Sequence, residues 1–256
     1  MGRVISTISG GKASGYVAWW TLQHYPKDDV VLYFNDTGWE HPDLHRFLND
    51  LSVFLDHPIV HDNDGRDVEM VAYDQHAIPN NRLPFCSHTL KAQRLQRYCQ
   101  DGDVLLFGIG ANERHRAKRI KEVYEIVSVN RAIAVSLRFP LIEFHIDDIA
   151  IAQFYKKHAI QTPELYKLGF SHNNCGGGCV RSSKKQWLHL LQVQPETYAE
   201  RERFEREIAE HFGKRMTILK DMSLERLRLQ YQAKQPIELG QEPDVADCIG
   251  ICSTTV

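Results

Sequence analysis

Ser9-Gly10-Gly11-Lys12-Ala13-Ser14 follows an apolar run, Arg3 to Ile8, and precedes Ser14 to His24, where Val17, Ala18, Trp20 and Leu22 recur at helical spacing. A strand that enters a helix through two glycines aims backbone amides and the positive end of the helix dipole at one point, which suits an anion. Lys12 adds a point charge, and Ser9 and Ser14 add hydroxyl donors. Ser9, Gly10, Gly11, Lys12 and Ser14 are therefore candidate phosphate-binding residues. The spacing does not match G-x-x-x-x-G-K-[ST]. For these six residues alone, a glycine turn that merely starts a helix is the alternative.

Val30 to Phe34 is a second apolar run that ends in Asn35-Asp36-Thr37-Gly38 and leads to a helix through Leu44, Phe47, Leu48 and Leu51. Pro58 to Val60 and Asp103 to Ile109 read as further strands, with a helix over Leu90 to Cys99 between them. Alternating strands and helices predict an α/β fold, a doubly wound and mostly parallel sheet. In such sheets ligands sit beyond the carboxyl ends of strands, where both the glycines and the Asp36 turn fall. After Pro140 the pattern changes to helices at Asp147 to His158, Thr162 to Leu168, Lys184 to Gln192 and Glu196 to Phe212, with Pro195 separating the last two. The expected organisation is a nucleotide-binding α/β domain over 1–145, a helical, cysteine-bearing subdomain over 146–234, and a cysteine-bearing tail over 235–256.

With 31 basic and 33 acidic residues the net charge is −2, so no global field attracts nucleic acid. A local patch is a separate matter: Arg114 to Lys121 is the densest basic stretch and follows a strand end on the nucleotide side. No apolar run approaches the ~18 residues of a membrane span, and the first residues lack a secretory pattern. A cytoplasmic protein without membrane contact is expected.

Six cysteines are too sparse for a disulfide scaffold. Cys175-Gly-Gly-Gly-Cys179 sets two sulfurs on one loop, and Cys248-x-x-x-Cys252 repeats that spacing. With Cys86 these offer up to five thiolates, enough for a four-coordinate centre of zinc or iron and sulfide. A redox disulfide is the other reading of Cys175 and Cys179, and a mobile redox pair that of Cys248 and Cys252. Cys99, on an apolar helix face, reads as a plain buried thiol. The interleaved Glu and Arg of residues 200–215 predict a salt-bridged surface helix.

The ordered set of motifs resembles the phosphoadenosine phosphosulfate reductase family, within the PP-loop adenine-nucleotide α-hydrolases. The S-G-G-K-A-S loop is similar to the PP-loop, and Asp36-Thr37-Gly38-Trp39-Glu40-His41-Pro42 to that family's D-T-G-x-x-x-P segment. Cys86 through Lys91 resembles its C-x-x-x-x-K, and Gly108-Ile109 with Glu113, Arg116 and Arg119 its G-x-R-x-x-E-S-x-x-R. Pro140-Leu141-Ile142, then Pro163 through Phe170 and Cys175, follow its P-L-I and P-x-L-Y-x-x-G-F-x-x-x-x-C. The resemblance covers roughly residues 3 to 185 and implies that Asp36, Thr37, Gly38, Lys91, Gly108, Arg116 and Arg119 join the loop in holding an adenine nucleotide. It also implies a four-iron cluster with ligands at Cys86, Cys175 and Cys179, completed by Cys252 or Cys248. Four departures stand out: Ala13 replaces an aspartate common in ATP-cleaving relatives, Cys86 is single where iron–sulfur relatives often have a cysteine pair, Asn112 breaks the G-x-R spacing, and the E-C-G-L-H terminus is absent.

The resemblance implies an enzyme of sulfur metabolism in which Lys12 and Arg116 stabilise developing charge and Cys252 or Cys248 attacks the sulfate sulfur of phosphoadenosine phosphosulfate. A reductant such as thioredoxin would then release sulfite. One alternative is an ATP pyrophosphatase that adenylates and thiolates a nucleic acid or small molecule, with a separate sulfur donor and with magnesium accompanying the triphosphate. Another is a non-catalytic nucleotide-binding protein with a structural metal site. A homo-oligomer is compatible with each.

Overall fold

The computed structural model describes residues 2–239. Among them the strands form one five-stranded sheet in the order β3-β2-β1-β4-β5, every neighbouring pair parallel. The strands are β1 (Val4–Ile8), β2 (Val30–Asp36), β3 (Ile59–Asn63), β4 (Val104–Leu106) and β5 (Ser136–Arg138). The chain starts in the centre, runs outward through β2 and β3, then returns past β1 to β4 and β5. Loops leaving β1 and β4 therefore diverge to opposite faces and open a crevice at the carboxyl end of β1.

Side chains alternate across the sheet as a period of two demands. Val4, Ile8, Leu32, Phe34 and Leu106 pack beneath α1 (Lys12–His24), α2 (Pro42–Leu55) and α8 (Asp148–Lys157). Ile5, Tyr33, Leu105 and Phe107 face the other way, toward α5 (Gln93–Tyr98) and α6 (Arg114–Arg131). Both faces are covered, which is why these strands read as unbroken apolar runs. A third cluster joins α3 (Val68–Asp74) and α4 (Phe85–Ser87) to α9 (Glu164–Lys167), α10 (Lys184–Val193), α11 (Pro195–Phe212) and α12 (Leu224–Gln232). Packing thus crosses the chain order: α8 joins the sheet's core, while α3 and α4 join the C-terminal helices. A short turn, α7 (Pro140–Glu143), follows β5.

The α/β architecture agrees with the sequence-based expectation, and several local details differ. The helix predicted over Leu90 to Cys99 begins as a π-turn, His88–Ala92, before α5. The helix predicted over Thr162 to Leu168 is the single turn α9, bounded by Pro163 at its N-cap and Gly169 at φ +91°. The three-residue β5 was too short to leave a periodic signal, and α12 has its apolar pair, Leu224 and Leu227, hidden in a polar sequence.

The expectation of a salt-bridged surface helix is corrected at α11, which buries Tyr198, Arg201, Glu202, Phe204, Glu205 and Ile208. Glu202 forms a two-pronged pair with Arg228 at 2.8 Å on each arm. Glu205 accepts the Ile218 N–H at 2.7 Å and the Leu224 N–H at 2.6 Å, so one carboxylate secures both the loop after α11 and the start of α12. Burial pushes the Glu205 carboxyl up to about 7, against the opposing pull of those two N–H groups.

A carboxyl raised from 4.5 to about 7 keeps a proton in the folded chain that the unfolded chain has released. Its contribution is present at acid pH and is lost as pH rises through that window. Stability by urea unfolding should fall between about pH 4.5 and about pH 7 on this account, and Glu205→Gln should flatten the decline. The same substitution sets an amide against one backbone N–H and should cost about 1–3 kcal/mol at acid pH.

Candidate functional site

The crevice floor is the loop from Ser9 to Ser14. Gly10 has φ +81°, and a Cβ there would lie 2.3 Å from Leu44 Cδ1, so the turn requires glycine on both conformational and steric grounds. Gly11 is the N-cap of α1 and brings no capping side chain. Ser14 is buried; its hydroxyl donates to the Gly11 carbonyl at 3.0 Å and accepts the Ser9 N–H at 3.1 Å, which closes the loop on itself. The Lys12 N–H donates to the Tyr166 hydroxyl at 3.3 Å, and Lys12 Nζ lies 4.2 Å from the Tyr166 ring centre. Gly108, after β4, packs so tightly that a Cβ would lie 2.7 Å from Ser14 N and Cα. Gly108 therefore serves the loop by close approach.

The turn after β2 forms the adjacent wall. Asp36 accepts the Gly38 N–H at 2.9 Å, and Gly38 takes φ +73°. Thr37, 2% exposed, donates its hydroxyl to Glu40 Oε1 at 2.9 Å. Glu40 Oε1 also meets Lys91 Nζ at 3.4 Å, with the two side chains 1% and 7% exposed. The π-turn carries Lys91 inward to this position beside the ends of β1 and β2, where it lines a cavity of about 20 Å³ with Ser9 and Asn35.

The third component is the cysteine loop. The Asn173 side-chain amide donates to the Gly10 carbonyl at 3.0 Å, and the Cys175 N–H donates to Glu40 Oε2 at 3.3 Å. These two bonds fasten the loop to both neighbours. His172 Nδ1 accepts the Asn174 N–H at 3.3 Å, and its Nε2 meets the Gln186 side-chain amide at 2.8 Å to Nε2 and 3.2 Å to Oε1, so His172 braces the loop from behind. Cys175, Gly176 and Gly177 all have positive φ, of 48°, 62° and 85°. Left-handed geometry at a non-glycine residue costs about 1 kcal/mol, and the surrounding bonds hold it in place.

Cys175 and Cys179 are brought together: a hydrogen bond between them, followed by burial and the Glu40 carboxylate, pushes the Cys175 thiol well up, while the Lys91 charge opposes the shift. Arg201 lies over the Trp39 ring at 3.8 Å, buried, with Nε unpartnered. Burial holds Arg201 below its usual range, whereas the nearby Cys175 acts in the opposite direction. Cys86 is buried in the same cluster, yet it does not complete a metal-binding group with Cys175 and Cys179. Among the described residues no three His, Cys, Asp or Glu side chains converge so as to hold a metal ion. Two thiols are half of a tetrahedral thiolate set, so the described residues do not by themselves fit a four-cysteine cluster or zinc centre. Cys248 and Cys252 lie outside the described residues. Cys99 is fully buried and its thiol is pushed up to about 11, first by burial and then by Asp103.

Arg116 and Arg119 open α6, half-buried, and Arg116 pairs with Glu113. Glu40, Asn173, Asn174 and Arg201 are the site residues that sequence patterns did not single out. An asparagine pair beside Cys175 was the available signal for two of them. The Asn173 Oδ1 and Asn174 Nδ2 atoms are buried without a partner, which is unusual for polar atoms and marks the seam between the glycine and cysteine loops.

The family model described as the phosphoadenosine phosphosulfate reductase domain matches residues 3–184. Among solved structures, the phosphate complex of phosphoadenylyl-sulfate reductase from Candida auris aligns with a TM-score of 0.47 and 13% identity, over 67% of this chain and 80% of that one. No curated protein matches the chain. Among the described residues no helix is long and apolar enough to cross a membrane.

The Glu40–Lys91 pair yields a direct test. Glu40→Gln and Lys91→Met should each destabilise the chain by about 3 kcal/mol, because each leaves the partner charge buried and uncompensated. The double variant should cost clearly less than the sum of the two in denaturant unfolding. Additive costs would show that the two charges do not depend on each other.

Proposed function

Since the chain belongs to the phosphoadenosine phosphosulfate reductase family, we propose that it reduces a sulfonucleotide, with the glycine loop holding phosphate and thiols of the same chain carrying the sulfur chemistry. The observation that supports this most is the fastening of the Cys175–Cys179 loop to the glycine loop through Asn173 and Gly10, and to the Asp36–Glu40 wall through Cys175 and Glu40. Thiols and an anion-binding helix terminus belong together when an anionic substrate carries its reactive sulfur next to a phosphate.

In this reading the amides at the start of α1 and Lys12 bind the phosphate, Arg116 and Arg119 add positive charge for the nucleotide, and Asp36, Thr37, Gly38, Lys91 and Gly108 shape the nucleotide site. A cysteine thiolate attacks the sulfate sulfur, forming an S–S bond as the S–O bond to the phosphate breaks. The leaving group is adenosine bisphosphate, and its growing negative charge is met by preorganised donors, usually the largest catalytic contribution. A second thiolate attacks the first cysteine's sulfur, sulfite departs with the electron pair, and the disulfide is returned to two thiols by an external dithiol of the thioredoxin type. Buried, mutually bonded and raised in pKa, Cys175 is poorly ionised at rest. Cys252 or Cys248 is therefore the better candidate for the first attack, and the Cys175–Cys179 pair lies closer to a supporting role.

The experiment is product analysis of the purified chain with phosphoadenosine phosphosulfate and a dithiol reductant. Sulfite and adenosine bisphosphate are expected in equal amounts, and Lys12→Ala should lower kcat/KM roughly a hundredfold. Cys252→Ser or Cys248→Ser should stop turnover while sparing nucleotide binding. Production of AMP and pyrophosphate from ATP, with no sulfite from the sulfonucleotide, would overturn the reading in favour of nucleotide-dependent thiolation.

A further inference from the structure

Away from the glycine loop lies a groove of about 540 Å³, a volume suited to a ligand the size of a nucleotide. One wall is the segment 76–83 between α3 and α4; the other is 214–220, after α11. Its edge is the stretch immediately after Cys179, through Val180 and Ser182. No residue of the glycine loop or the Asp36 turn lines it. The second wall also lies beyond the residues that match the family domain, 3–184, so the groove is a feature of this chain rather than of the shared domain alone.

The chemistry of the lining is one-sided. Arg82 comes from one wall and Lys214, Arg215 and Lys220 from the other, all exposed, and among the described residues no aspartate or glutamate lines the groove. This concentration of positive charge stands out on a chain whose net charge is −2. Lys214 Nζ donates to the His76 carbonyl at 3.2 Å and Arg215 to the Asp221 carbonyl at 3.0 Å, both to backbone oxygens. The nearby Asp221 carboxylate is already paired with Lys184 Nζ at 2.6 Å. A neutral donor completes the set: Ser182 is 2% exposed, and its hydroxyl has no hydrogen-bond partner. A buried hydroxyl left unbonded costs stability unless something else satisfies it.

We propose that this groove binds phosphate esters, with the Ser182 hydroxyl donating to a phosphate oxygen and Arg82, Lys214, Arg215 and Lys220 compensating the charge. The phosphate belongs either to a free nucleotide or to the backbone of a nucleic-acid strand, since both present the same group to these donors. The assignment does not depend on the sulfonucleotide chemistry above, because the two sites share no residue.

Two thymidine probes keep the groove distinct from an adenine site: thymidine 3′,5′-bisphosphate followed by calorimetry, and fluorescein-labelled oligothymidylate followed by anisotropy, each with the full chain at about 50 mM salt. At least one should bind saturably and weaken roughly tenfold or more in Arg82→Gln/Lys220→Gln, whose side chains are exposed and leave folding intact. Ser182→Ala should weaken the same probe about fivefold, with thermal unfolding of the free protein no lower than the parent's. Binding of the bisphosphate alone identifies a free nucleotide; tight binding of the oligonucleotide with a steep salt dependence identifies a strand. Lys12→Ala should leave either probe unaffected while weakening adenine-nucleotide binding, which separates failure here from failure at the glycine loop. The proposal is overturned if neither probe binds or if the double variant binds as the parent does.

Discussion

The buried pair of Glu40 and Lys91 is the constraint around which the crevice is arranged. Charges removed from water are tolerated only when their partners are fixed, since a few ångströms of displacement leave a cost of several kcal/mol. Glu40 meets this requirement by bonding to three separate segments: Thr37 in its own turn, Lys91 in the π-turn, and the Cys175 amide. Lys91 in turn sits against the ends of β1 and β2. The position of the cysteine loop relative to the sheet is thus set by electrostatics as well as by apolar packing, and neither charge can leave without releasing the others.

Around that pair, close approach does the remaining positioning. Gly108 admits the backbone of Ser14, Gly10 admits Leu44, and the Asn173 amide closes over the Gly10 carbonyl. Each contact joins elements far apart in sequence, so the anion-binding terminus of α1 is held by strands, helices and the cysteine loop together. A preorganised donor set of this kind loses little freedom when a phosphate arrives.

Much of this was legible in the chain itself. The glycine loop, the β2 turn and the alternation of strands and helices are local patterns, and the sheet realises them. Lys91 stood out through a motif, but the π-turn that buries it and its partnership with Glu40 depend on distant segments. The α11 helix misled for a related reason: its glutamates and arginines have the spacing of a solvated face, yet Arg201 packs inward on the Trp39 ring and Glu205 accepts N–H groups of a distant loop. Charge spacing along one helix cannot show which face another element will cover. The cysteine spacing foretold the meeting of Cys175 and Cys179. Cys86 lies in the same core, and among the described residues no three metal-binding side chains converge there.

Tyr166 gives the glycine loop a resident competitor. Its phenol oxygen already accepts the Lys12 amide hydrogen, and its ring lies beneath the Lys12 ammonium. An anion that claims that amide must first displace an oxygen of the protein's own. The observed affinity is then the amide's intrinsic affinity reduced by the fraction of time the phenol holds it. The same ring attracts the ammonium group, so Tyr166 both withholds one donor and steadies another. The loop is consequently not a set of bare donors awaiting charge, and its selectivity is a contest between a strong external acceptor and a weak internal one.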